Sequence, residues 1–247
     1  FGTEAGSQLT GSSGIRYNNT FYGYQAGKST RDSQNAAFGD IALRDNYTGD
    51  KNTALGRGSL FSSTTADNNT AVGCLALSSN TTGANNTAVG TFAGKSGTND
   101  ITTGSNNILI GYQASASSST VSNEITLGDT NIASLRCNVQ TISSLSDRRD
   151  KTDINTLDLG LDFVKSLNPV KFKWETRDGN GKDGSYEAGF IAQDFQQLQK
   201  DNDADYLKLV MDQNPDRLEA SYGKLIPVLV KAIQELTIEV ETLKSNG

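Results

Sequence analysis

The 247-residue chain contains no histidine. That absence excludes Ser-His-Asp and Cys-His catalysis, and every histidine-ligated metal site, in one step. Two cysteines, Cys74 and Cys137, are too few for a disulfide framework or a thiolate metal cluster. Both read as small buried apolar residues, with a bridge between them left open. Proline, tryptophan and methionine are scarce, and every one of them lies beyond residue 145. No apolar run is long enough to cross a bilayer and no secretory signal is visible, so membrane insertion is not expected. Positive charge is also short: the net charge is −6, and Lys and Arg form no cluster. A nucleic-acid partner is therefore not expected. The repeats described below hold no isolated carboxylate pair that would suggest a glycosidase, and nothing calls for a cofactor or metal. Because the chain opens on Phe1 rather than methionine, the expectation is a piece of something longer.

What remains is an Asn/Thr/Ser/Gly-rich first half and a more charged second half, with the change near Ser146. The first half repeats. NTFYG (19–23), NAAFG (35–39), NTALG (52–56), NTAVG (69–73), NTAVG (86–90) and NILIG (107–111) align on one glycine, and NEITLG (123–128) is a related unit one residue longer. The anchors Gly23, Gly39, Gly56, Gly73, Gly90, Gly111 and Gly128 are 16, 17, 17, 17, 21 and 17 residues apart. Such a period marks stacked supersecondary units. Alternation around T-A-V predicts a short strand with one face buried, followed by a glycine turn, a second short stretch such as CLAL (74–77), and a polar linker. No strand this short makes a core alone, so successive coils must stack. At roughly 4.8 Å per strand, seven coils give a shaft on the order of 35 Å. The N-x-T sequons at Asn18, Asn46, Asn68, Asn80 and Asn85 read as by-products of duplicating NNT, with asparagine serving turns or side-chain ladders between coils. These units resemble the head repeats of trimeric autotransporter adhesins and similar units of virus fibres, which implies three chains, each a β-roll, packed side by side.

Residues 129–145 alternate polar and apolar residues and are expected to form a strand or neck. Then comes Ser146-Asp147-Arg148-Arg149-Asp150-Lys151-Thr152-Asp153-Ile154. Downstream lie LNPVKFKW (167–174), GFIAQD (189–194) and the segment Tyr222 through Leu243. This ordered set resembles the peptidase S74 family, the intramolecular chaperone of endosialidases, tail spikes and other fibres. The resemblance implies self-cleavage between Leu145 and Ser146, with Ser146 as nucleophile, Lys151 as base and Asp147 as an orienting candidate. The chemistry is self-consistent, since a serine without histidine needs a base such as a neutral lysine. Five residues along an α-helix turn through roughly 140°. Either the segment is not helical, then, or the base comes from a neighbouring chain.

In the second half, LDLGLDFVKSLNPV (157–170) predicts a short helix ending before Pro169. VKFKWE (170–175) predicts a strand, RDGNGKDG (177–184) a turn, and YEAGFIAQDFQQLQ (186–199) a strand running into a helix. A last helix over about 224–244 places Ile226, Leu229, Ile233, Leu236, Val240 and Leu243 at alternating spacings of three and four, a coiled-coil seam of about three heptads. A helix packed on its own domain is the competing reading. Ile and Val at a with Leu at d favour a dimer by themselves; the resemblance and the β-roll imply a trimer.

The expected organisation is a mostly β shaft of stacked coils (1–128), a neck (129–145), an α+β chaperone (146–223) and a coiled-coil helix (224–247). The expected function is that of a homotrimeric fibre tip, on a virion or bacterial surface, whose chaperone sets trimerisation and register and is then cut away. The alternative is an adhesin for a host glycan or surface protein, with the C-terminal part retained as an uncleaved cap.

Overall fold

The structure, a computed structural model, describes residues 2–7, 18–132, 134–138, 142–175 and 184–247. The chain divides into two compact units, residues 1–132 and 133–247.

The first unit is a β-solenoid. Its strands are β1 (Thr20–Tyr22), β2 (Ala36–Phe38), β3 (Thr53–Leu55), β4 (Thr70–Val72), β5 (Thr87–Val89), β6 (Ile108–Ile110) and β7 (Ile125–Leu127). They form one parallel sheet in sequence order, in a register that sets Ala54 on Ala71 on Ala88 on Leu109. The middle residue of each strand points inward, and Ala37, Ala54, Ala71, Ala88 and Leu109 are buried. Alanine here keeps the coil narrow. Each of the first six strands ends at a glycine with φ between 123 and 140°, a region closed to side chains. A Cβ on Gly73 would stand 2.4 Å from the carbonyl oxygen of Gly90 on the next coil.

The stretch after each glycine is not a second strand. CLAL (74–77) makes consecutive tight turns, with Leu75 at φ 56° and Leu77 at φ 49°; Ile41 and Leu43 repeat the pattern. Left-handed leucine and isoleucine are strained. Stacking compensates, because Leu43, Leu60 and Leu77 are fully buried. Their amides also bond to the following coil, to Ser59, Ala76 and Ala93 respectively.

The asparagines explain the NNT signature. The first of each pair takes a left-handed backbone, as at Asn68 (φ 57°) and Asn85 (φ 59°), a conformation asparagine tolerates. The second is buried and builds a ladder. Asn35 Oδ1 accepts from Asn52 N, Asn52 Oδ1 from Asn69 N, Asn69 Oδ1 from Asn86 N, and Asn86 Oδ1 from Asn107 N. The Nδ2 groups satisfy linker carbonyls at Gly49, Ala66, Gly83 and Gly104. Of the remaining sequon asparagines, Asn46 and Asn80 are fully buried, so neither is an acceptor in the folded coil. NEITLG carries no extra residue after all. Asn123 occupies the left-handed column (φ 66°), and Glu124 replaces the ladder asparagine, its amide bonded to Asn107 Oδ1.

The 21-residue coil absorbs its surplus at 95–100. Lys95 Nζ pairs with Asp100 at 2.7 Å, and Ser79 Oγ donates to the same carboxylate at 2.9 Å. Burial opposes the charge on Asp100, yet bonds from Lys95, Gly97 N and Ser79 hold its carboxyl below the usual range.

The second unit is α+β. Its elements are α1 (Leu161–Lys165), β8 (Val170–Lys173), β9 (Tyr186–Gly189), α2 (Ala192–Asp201), β10 (Val210–Met211), β11 (Glu219–Ala220) and α3 (Ile226–Ser245). The helix foreseen over 157–170 is confined to α1, with Gly160 at its start and Ser166 closing it. β8 and β9 pair antiparallel, as do β10 and β11. The turn predicted at 177–184 lies outside the described residues, Gly184 excepted. The described neck residues 134–138 and 142–145 form no strand and are exposed.

The core of this unit joins Phe163, Phe195, Ala204, Leu207, Leu209, Leu225 and Val228. Phe190, Phe195 and Tyr222 stack beside it, and Gly189 is required there, because a Cβ would lie 2.6 Å from Tyr222 Oη. Cys137 is exposed and Cys74 half-buried, both as free thiols, so the expectation of two buried cysteines fails. The described residues around it, 134–138, form no strand, which leaves Cys137 in solvent.

Candidate self-cleavage site

The border sequence forms almost no regular structure, and that determines what its side chains can reach. Only Arg148–Asp150 coil, into a single 3₁₀ turn. Asp147 before it and Lys151 after it are extended, with ψ 135 and 138°. The turn is seeded by Asp147, whose side chain accepts from Arg149 N at 2.9 Å, the usual role of aspartate at a helix start. Doubling back over one turn, instead of spiralling as an α-helix, brings residues five apart to the same side. Lys151 Nζ lies 2.5 Å from Ser146 Oγ within one chain.

Asp147 is held away from that pair. Its carboxylate grips the Arg149 guanidinium at 2.6 Å. This bond, with the one from the Arg149 amide, keeps its carboxyl below the ordinary range. The Asp147–Arg149 pair therefore fixes the turn, and the turn fixes Ser146 relative to Lys151. Leu145 is fully exposed, and Ser146 and Lys151 are exposed as well. Sequence reasoning missed Ser144, whose hydroxyl stands 3.4 Å from the carbonyl oxygen of Leu145. A hydroxyl one residue ahead of the border was the available signal.

The coiled-coil candidates lie on α3. Its first half docks on its own unit by burying Val228 and Ala232. There Glu235 accepts the Leu161 amide at 2.7 Å, capping α1, and pairs with Lys231 at 3.2 Å. These contacts hold the Glu235 carboxyl below the usual glutamate range, the bond from Leu161 foremost. The six seam residues occupy the other side. Ile226, Leu229, Ile233, Leu236, Val240 and Leu243 are all exposed, from 40 % at Leu229 to 72 % at Leu243. The helix thus docks on its own unit by one face and leaves the six seam residues exposed on another.

Among the described residues no cluster of three His, Cys, Asp or Glu side chains could hold a metal, and no helix is long and apolar enough to cross a membrane. No curated protein and no solved structure matches the chain. One family model does, over residues 146–203, and it begins on the serine that touches Lys151. Residues 146–203 thus match the family described as Peptidase_S74, chaperone of endosialidase.

Proposed function

We propose that this chain belongs to an extracellular homotrimeric fibre, whose chaperone unit aligns three copies and is then released by cleavage between Leu145 and Ser146. The observation that carries the reading is the Ser146–Lys151 contact at the first residue of the chaperone domain. The unpartnered seam of α3 supports it from the assembly side. Near-identical coils can pair out of register at little cost, and such pairing is slow. A unit that gathers three chains first raises their local concentration and removes the ambiguity.

The chemistry follows from Ser146 sitting directly after the bond to be cut. Lys151 takes the hydroxyl proton as Ser146 Oγ attacks the Leu145 carbonyl carbon. The C–N bond then breaks while the Ser146 nitrogen receives that proton. Leu145 is left esterified to Ser146 Oγ beside a free amine, and water hydrolyses the ester to a carboxylate and the restored hydroxyl. Lysine can act this way only as the neutral amine. A single chain leaves both groups exposed to water; covering of the pair by neighbouring copies would tie cutting to assembly. Loss of the aligning unit then leaves a shaft that persists kinetically.

Intact-mass measurement tests the proposal. Wild-type protein should resolve into a fragment ending at Leu145 and one beginning at Ser146, while Ser146→Ala, Lys151→Ala and Lys151→Arg stay whole. Neutral hydroxylamine should speed release by intercepting the ester. Co-expressed Ser146→Ala and Lys151→Ala chains should not rescue each other, because the contact lies within one chain. A wild-type assembly that remains uncut indefinitely would refute the reading.

A further inference from the structure

Among the described residues of the first unit, the outward face of the solenoid sheet is left largely exposed. The paired third positions form a column, Tyr22, Phe38, Leu55, Val72, Val89, Ile110 and Leu127. Tyr22 is 60 % and Leu127 51 % exposed. The first positions are Thr20, Ala36, Thr53, Thr70 and Thr87 in the earlier strands but Ile108 and Ile125 in the last two. The apolar face is thus one column wide over β1–β5 and two wide over β6–β7, where Ile125 is 67 % exposed.

We infer that this face is where neighbouring copies of the chain pack, coil against coil, and that Ile108 and Ile125 seed the contact. The inference rests on the trimer reading above and adds the surface and the direction in which it closes.

Three observations select a second copy as the occupant. No outward strand position carries a charge, so two copies of a chain with net charge −6 meet there without opposing like charges. The side chains along the column, from Tyr22 to Leu127, are apolar and, Val72 apart, exposed, a contiguous strip of the kind that marks an interaction surface rather than scattered surface residues. The column repeats with the rise of the solenoid itself, and a second copy has the same rise and matches every rung. The widened end lies in the coils that precede the chaperone in sequence. Copies gathered by that unit would meet there first and close towards β1.

The test uses the full chain carrying Ser146→Ala, Cys74→Ser and Cys137→Ser, so that it stays uncut and free of native thiols. Val89→Cys places a thiol on the face, and Thr82→Cys places one in a polar linker. Light scattering should give a three-copy mass for both, and mild oxidation should cross-link Val89→Cys chains but not Thr82→Cys chains. Adding Ile108→Thr and Ile125→Thr, the residue found at the same position in β3–β5, should slow Val89→Cys cross-linking during refolding at least tenfold. Three-copy assemblies in which Val89→Cys cross-links no better than Thr82→Cys overturn the interface alone. An unchanged rate in the threonine variant overturns the seeding. A one-copy mass overturns the assembly reading, and this inference with it.

Discussion

Asn52→Ala tests whether the asparagine ladder holds the coils together. In the native coil Asn52 Oδ1 accepts from Asn69 N at 3.0 Å, and Nδ2 donates to the Ala66 carbonyl at 2.7 Å. Asn69 and Ala66 are both fully buried, so water cannot replace the lost side chain. Truncation leaves one donor and one acceptor unpaired; at about 1–3 kcal/mol each, the cost is roughly 2–6 kcal/mol. Asn69→Ala should cost less by one such group. Although it frees the Asn86 amide, the Gly83 carbonyl keeps a second donor in Asn80 Nδ2. Asn68→Gly, at an exposed left-handed position, should be nearly silent. Hydrogen exchange by mass spectrometry over peptides spanning 64–90 reads the local opening free energy directly, and the uncleaved Ser146→Ala chain keeps the comparison clean. Equal losses for Asn52→Ala and Asn69→Ala, or a loss below ~1 kcal/mol for the former, would refute the reasoning.

Two further outcomes are expected. The Glu235 carboxyl is held below its ordinary range, so its contribution is complete above the usual glutamate value of about 4.3 and fades as pH falls through the lowered one. Glu235→Gln should therefore lower the unfolding midpoint reported by Trp174 fluorescence at pH 7, and by progressively less as the pH falls below about 4; a gap independent of pH would count against the α1 cap. Gly73→Ala should be far worse than Gly97→Ala in thermal unfolding. Both glycines have positive φ, worth about 1–3 kcal/mol, yet only Gly73 would drive a Cβ to 2.4 Å from the next coil, whereas Gly97 faces open space. Equal midpoints would refute the close-approach argument.

Much of the first unit was legible because a coil repeats its constraints. Glycine spacing gave the period, T-A-V alternation gave the strands, and duplicated NNT pointed to the ladder. The turn pairs were not legible, since CLAL and DIAL carry residues that ordinarily avoid a left-handed backbone. Only the stacked coils hold them there, and stacking is not a local property. Glu124 was hidden for a related reason: its role depends on its amide donating to Asn107 Oδ1 of the coil before, not on resembling asparagine. In the second unit the seam of α3 and the strand β8 followed from periodicity. β10 and β11, two residues each, leave no pattern to read. For the border, spacing alone argued against a shared helical face. The 3₁₀ turn under Asp147 resolves this, although an aspartate two residues ahead of an arginine is too common to announce such a turn.

The oversized coil between Gly90 and Gly111 matters beyond its own stability. A row of identical rungs has no landmark, and two such rows can slide by one step and still match almost everywhere. Four surplus residues, clamped by Lys95 and Asp100, give every copy one rung that fits no other. In the homotrimer proposed above, slippage would bring that rung against an ordinary one, and the mistake would be penalised inside the solenoid itself. After the release proposed above, the solenoid would still carry a mark of where its zero lies.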